Sequence, residues 1–189
     1  MPRKADERLE GRIVDAAYQL WSKGGEAALT MRAVAKAAKT TTPTLYERFQ
    51  DKHDLIVFLQ AKAREKMYAA LKSGGTAAEA CRAGLDFTLS NGNEYLLLTT
   101  DWAVRLGRKE PMPSYDLLKE MLAAELGGDP GEYGRVALAL VAQVHGTAIL
   151  VLAEGVDPKI AKEFREACVD ACQAIVECAR KRRGGATKG

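Results

Sequence analysis

The residues best equipped for chemistry in this 189-residue chain crowd into one stretch. Between positions 30 and 52 stand Thr30, Thr41, Thr42, Pro43, Thr44, Tyr46, Glu47, Arg48 and Lys52. Hydroxyls, a guanidinium and an ammonium at such close spacing suit hydrogen bonding to phosphate oxygens and base edges. Catalysis is poorly provided for. The histidines are His53 and His145, and there is no Gly-x-Ser-x-Gly elbow, no phosphate-cradling glycine-rich loop and no HExxH pair. The expectation is a protein that is not an enzyme and carries no cofactor. Cys168 and Cys172, four apart, could hold a soft metal with a further group such as His145. Without CxxC knuckles, small buried apolar residues are the better reading, so no metal is expected.

The elements that must position the 30–52 stretch are two short helices and a turn. Thr30 has the right hydroxyl to cap a first helix, and Met31, Val34, Ala37 and Ala38 give that helix an apolar face. Lys39 to Thr42 are poor helix formers and suit a turn. Pro43 fits the first turn of a second helix, where its missing amide is harmless. Leu45 and Phe49 point that helix inward, which leaves Thr42, Thr44, Glu47 and Arg48 outside. A preceding helix from about Asp6 to Lys23, with Leu9, Ile13, Ala17, Leu20 and Trp21 on one side, braces the pair; Gly24 and Gly25 end it. Two helices joined by about four residues match the DNA-binding helix-turn-helix.

Thr30, Val34, Ala35, Ala38, Thr44, Leu45, Tyr46, Phe49, Lys52 and Leu55 resemble the N-terminal domain of the tetracycline-repressor (TetR) family of transcriptional regulators. The resemblance implies that the second helix enters a major groove. Carried over by position, Thr42, Pro43 and Thr44 face bases or the adjoining sugar-phosphate, and Glu47 and Arg48 reach base edges or phosphate. Thr30, Thr41, Tyr46 and Lys52 look like phosphate holders. Lys39 departs from the family, which usually has a turn glycine there; if the backbone needs a positive φ, lysine costs ~1 kcal/mol relative to glycine.

Charge agrees with one end meeting phosphate. Residues 1–52 carry ten Lys/Arg against seven Asp/Glu, residues 53–178 thirteen against eighteen, and residues 179–189 five against none. Arg3, Lys4 and Arg8 make a short basic arm. Asp51 is placed to cap the next helix, whose first turn holds Lys52 and His53 and attracts phosphate. That helix runs through Leu55, Leu59, Ala63, Met67 and Leu71, long enough to link a head to a body.

Beyond it the pattern stays helical. Thr76 to Glu79 form a capping box. A helix from about Glu94 to Leu106 follows the Asn91-Gly92-Asn93 break, Ser114 is a cap before Leu117 and Leu118, and Asp157-Pro158 opens the last helix. The stretch 134–153 is apolar on nearly every side and needs cover all round, for which a second subunit is natural. Two helices from each of two chains would make a four-helix bundle about a two-fold axis. Arg180 to Gly189 read as a basic, disordered tail. No apolar run is long enough to span a bilayer and residues 1–8 lack an apolar leader segment, so a cytoplasmic protein with reduced thiols is expected.

The resulting expectation is all-α: a three-helix DNA-binding domain over residues 1–52, an effector-binding and dimerisation domain over 53–189, about nine helices in total. Its partners would be an operator duplex of double-stranded DNA, an unidentified small-molecule effector and a second copy of the chain. Phe87, Asp101, Trp102, Met121 and His145 are candidates for a pocket wall, the alternative for the aromatics being plain core. Val144-His145-Gly146 resembles the Trp-His-Gly signature of one C-terminal subgroup of the family, with valine in place of tryptophan. Two other readings stand beside this one: a helix-turn-helix binder with no small-molecule effector, and a helical protein-interaction module.

Overall fold

The computed structural model describes residues 3–99 and 101–186. Among these the chain forms ten α-helices and one 3-10 turn and no strand. Two compact units emerge: Met1–Ala63 with Asn93–Thr100, and Arg64–Gly92 with Asp101–Gly189. The division falls inside one helix.

The first unit contains α1 (Arg3–Ala28), α2 (Met31–Ala37), α3 (Thr42–Tyr46), the first turns of α4 (Lys52–Lys72) and α6 (Gly92–Thr99). Its core is Ile13, Ala17, Leu29, Val34, Leu45, Leu55, Leu59 and Leu97, all fully buried. α1 begins at Arg3, so the segment read as a basic arm lies at the start of a helix. Its regular course breaks where the glycines predict: Gly24 and Gly25 have non-helical angles, with φ of 58° at Gly25. The Tyr18 hydroxyl donates to the Leu59 carbonyl at 3.0 Å and ties α1 to α4. Burial, reinforced by Glu94 and Asp15, holds that phenol protonated far above its ordinary range.

The second unit contains the remainder of α4, α5 (Ala77–Ser90), α7 (Trp102–Gly107), α8 (Pro113–Leu126), the 3-10 turn Pro130–Tyr133, α9 (Gly134–Val151) and α10 (Pro158–Ala186). α9 packs on α5, α8 and α10, around Cys81, Leu85, Leu118, Leu122, Ala137, Leu140, Ala148, Cys168 and Cys172. The Thr76–Glu79 capping box is present in full, and Asp157 caps α10 by accepting from the Lys159 amide at 2.7 Å.

Four expectations need correction. The helix expected from Glu94 to Leu106 is two helices, α6 and α7, because Asp101 leaves helical geometry with φ −124° and ψ 2°. Ser114 is not a cap: α8 starts at Pro113, after Met112, since proline at a first helical position needs no capped amide. The basic tail is helical to Ala186, and residues 187–189 lie outside the described residues. Arg180 pairs with Glu125, while Arg183 meets Glu132 Oε2 at 2.7 Å and the Tyr133 hydroxyl at 2.9 Å. Last, the 22 residues Pro130–Val151, with mean hydropathy 1.5, are long and apolar enough to cross a bilayer by length and composition alone. Gln143 and His145 are too few to interrupt that run.

Candidate nucleic-acid interface

The geometry of α2, turn and α3 follows from its residues. Thr30 is extended and its Oγ1 accepts from the Ala33 amide at 3.1 Å, so α2 starts where the hydroxyl can satisfy a free donor. α2 ends at Ala38. The turn then closes with the Thr40 amide donating to the Ala35 carbonyl at 2.9 Å, and Arg12 Nε donating to the Ala38 carbonyl at 3.1 Å. Lys39 takes φ 53°, the left-handed conformation that a glycine would adopt more easily. Thr41 caps α3: its Oγ1 accepts from the Thr44 amide at 3.2 Å and lies 2.8 Å from Thr44 Oγ1. Leu45 is fully buried, and Phe49 is buried with its ring 5.2 Å from that of Phe58.

With α3 anchored at Leu45 and Phe49, the opposite side is left in solvent. Thr41, Pro43, Tyr46 and Glu47 are exposed and Thr42, Thr44 and Arg48 are half-buried. Tyr46 exposes 53% of its surface, so its ring does not sit at the core edge as an amphipathic residue might. Thr30 is likewise exposed. Asp51 Oδ1 accepts from the Asp54 amide at 2.9 Å and starts α4 one residue before Lys52. Lys52 is half-buried, and its Nζ donates to the Glu26 carbonyl at 2.7 Å and stands 3.3 Å from Glu26 Oε1. The sequence offers no signal for that pairing across 26 residues. All nine residues singled out beforehand thus fall on one unit, with Thr30 and Thr41 also serving as caps.

The five body residues fall on the second unit. Phe87 of α5, Met121 of α8 and His145 of α9 are half-buried. Asp101 precedes α7 and makes no side-chain cap bond. The half-buried Trp102 packs edge-on against Tyr115, with ring centroids 6.0 Å apart. Burial lowers the pKa of His145. Arg64, Tyr115 and Thr88 were missed by the sequence reading; Thr88 is fully buried on α5. Hydrogen bonding to Cys172, then burial, push the Cys168 thiol up, so it stays protonated. Among the described residues no group of three or more His, Cys, Asp or Glu is arranged to hold a metal ion.

A capped helix, a four-residue turn and a short outward-facing second helix, braced by a third, define a helix-turn-helix domain. Residues 13–57 match the family of bacterial regulatory proteins named tetR, and the chain belongs to that family. It is 41% identical over 63 residues to the HTH-type transcriptional repressor KstR of Rhodococcus jostii (strain RHA1). That match covers 33% of this chain and 30% of the repressor, so the chain aligns with about a third of its relative's length. A TetR-like transcriptional regulator from Rhodococcus sp. RHA1 superimposes with a TM-score of 0.64 at 18% identity, over 89% of this chain and 93% of that one. A single-site variant of TetR from Acinetobacter baumannii AYE, in complex with minocycline, does so with a TM-score of 0.60 at 21% identity, over 92% and 97% of the two chains. At these identities the structural likeness speaks for the fold.

Proposed function

We propose that the chain is a DNA-binding transcriptional repressor that meets a palindromic operator as a homodimer and releases it when a small molecule occupies its body. The observation that carries this reading is α3. It is fixed from behind by fully buried Leu45, while Thr42, Pro43, Thr44 and Tyr46 are left outside. In the proposed complex Thr42, Pro43 and Thr44 face bases, Glu47 and Arg48 reach base edges or phosphate, and Thr30, Thr41, Tyr46 and Lys52 hold phosphates. DNA binding belongs to residues 1–52 and the effector and dimer functions to 53–189.

The dimer rests on what α9 and α10 leave uncovered. On α10, Ile160, Phe164, Ala167, Ala174 and Cys178 are exposed and Ala171 is half-buried. Their steps of four and three residues make the narrow seam of a helix pair. On α9, Leu138, Ala142, Gly146, Ile149 and Leu150 are exposed. Two adjacent apolar faces at the spacing of a bundle fit a second copy of the same pair about a two-fold axis. Two heads on such a dimer would meet successive major grooves about 34–36 Å apart. The effector role is supported by the fold shared with a minocycline-bound TetR variant and by Trp102, Asp101, Phe87, Met121 and His145 in one unit. An effector shifts the DNA equilibrium only through its differential affinity for the two states.

The test is fluorescence anisotropy with duplex from the gene's own promoter. Saturable, salt-sensitive binding with a dimer stoichiometry is expected. A monomer that ignores the duplex at low salt overturns the reading.

A further inference from the structure

Two buried charges in the body lack partners. Nη1 of Arg64, on α4, and Oδ1 of Asp101, ahead of α7, are each shut off from solvent with no hydrogen-bond partner. Native proteins rarely leave such atoms orphaned, because a buried polar group without a partner has given up its water for nothing. Both residues lie in the same unit, and their charges feel each other: burial and Arg105 lower the Arg64 pKa, while Asp101 and Glu110 oppose them. Arg105 is already engaged, its Nε with Glu110 Oε2 at 2.9 Å and its Nη2 with the Pro111 carbonyl at 2.9 Å. The open valences are thus one guanidinium donor and one carboxylate acceptor. Trp102, next to Asp101, stands edge-on to Tyr115 and offers aromatic surface nearby.

The chemistry of an occupant follows. A guanidinium binds a carboxylate best, through charge-assisted bonds. An ionised Asp101 accepts only, so it needs a hydroxyl or N–H donor. A simple carboxylate would answer Arg64 and repel Asp101; a cation would do the reverse. We infer that the body binds a small hydroxy acid with an apolar remainder, Arg64 taking the carboxylate, Asp101 accepting from the hydroxyl, and Trp102 and Tyr115 covering the apolar part. This rests on the reading of the body as an effector domain. It also names the handle: Arg64 belongs to the same helix that Lys52 begins, so the ligand grips the element that carries a proposed phosphate contact.

The experiment uses the full chain and four probes: 3-hydroxydecanoate, its methyl ester, decanoate and decyltrimethylammonium. Thermal unfolding and promoter-duplex anisotropy are read in parallel. The hydroxy acid raises Tm most, by ~2 °C or more at saturation, and weakens duplex binding; the ester and the ammonium do neither. Arg64→Met removes the rise, Arg64→Lys restores part of it, and Asp101→Ala brings the hydroxy acid down to the level of decanoate. Should Arg64→Met fail to fold, the Asp101→Ala comparison decides. The inference is overturned if no probe raises Tm, if ester or ammonium matches the acid, or if the folded Arg64→Met chain responds in full. A rise in Tm with unchanged duplex affinity keeps the site and overturns the effector reading. Loss of duplex binding without any probe overturns the DNA reading and leaves the Tm arm standing.

Discussion

The ammonium of Lys52 is held by Glu26, 2.7 Å from its carbonyl oxygen and 3.3 Å from Oε1. A lysine at a helix start is poised for phosphate, yet here a carboxylate competes for it. Lys52→Ala is expected to weaken all duplex sequences about equally and to flatten the salt dependence by about one ion. Glu26→Gln frees the ammonium and tightens binding by up to ~5-fold, the range of an exposed ion pair. Anisotropy titrations over a salt series check both. Unchanged salt slope in the lysine variant would remove Lys52 from the interface.

Base reading is expected of Thr42 and Arg48, which flank the anchored Leu45. Alanine at either position should alter which operator variants are preferred, with Arg48 giving ~1–3 kcal/mol of discrimination if it reads a guanine. A binding-site selection on randomised duplex measures this. Preference kept after both changes sinks the assignment.

Lys39 sits at φ 53° in the turn between α2 and α3. Lys39→Gly relieves that backbone and should add ~1 kcal/mol of stability, while removing a positive charge beside α3 and so weakening duplex binding. Thermal unfolding and anisotropy should therefore move in opposite senses. A drop in Tm would mean that the lysine side chain contributes more than the backbone loses.

Ile149 and Phe164 are 55% and 37% exposed on the faces offered to a second copy. Charging both, as Ile149→Asp with Phe164→Asp, is expected to give a monomer by light scattering, with operator affinity reduced by at least ~100-fold. A variant that remains dimeric places the subunit contact elsewhere.

Burial lowers the pKa of His145 below its ordinary 6.5. A group depressed in the folded state takes up its proton first in the unfolded chain, so the unfolded state binds more protons as pH falls. Stability is full above pH 6.5 and is lost as pH drops below it, until the folded histidine also protonates. Tm measured from about pH 8 to about pH 5 should show this step, and His145→Gln should flatten it. A step of equal size in the variant would assign it to other groups.

Much of the head was legible because its signals are local. A threonine three residues before a free amide, a proline in a first turn and apolar steps of three and four all act within a few residues, and Thr30, Thr41 and Pro43 stand where those rules put them. The Lys39 conformation could be anticipated from one family position. The body was less transparent. Nothing local announces that Asp101 breaks a helix, that Arg183 docks on Glu132 and Tyr133, or that Arg64 is buried without a partner for its Nη1. These depend on packing between segments far apart in the chain, which periodicity does not encode. Basic residues in a run look like a solvated tail until acceptors about 50 residues away are seen to meet them.

α3 is only five residues long, with Leu45 committed to the interior. So short a reading element spans about four base pairs, and four letters distinguish only about 256 words. A genome presents on the order of a million or more rival words. One head alone would be lost among them. Addressing by this molecule therefore demands duplicate readings in fixed spacing, with the shape of the intervening duplex supplying what side chains do not spell.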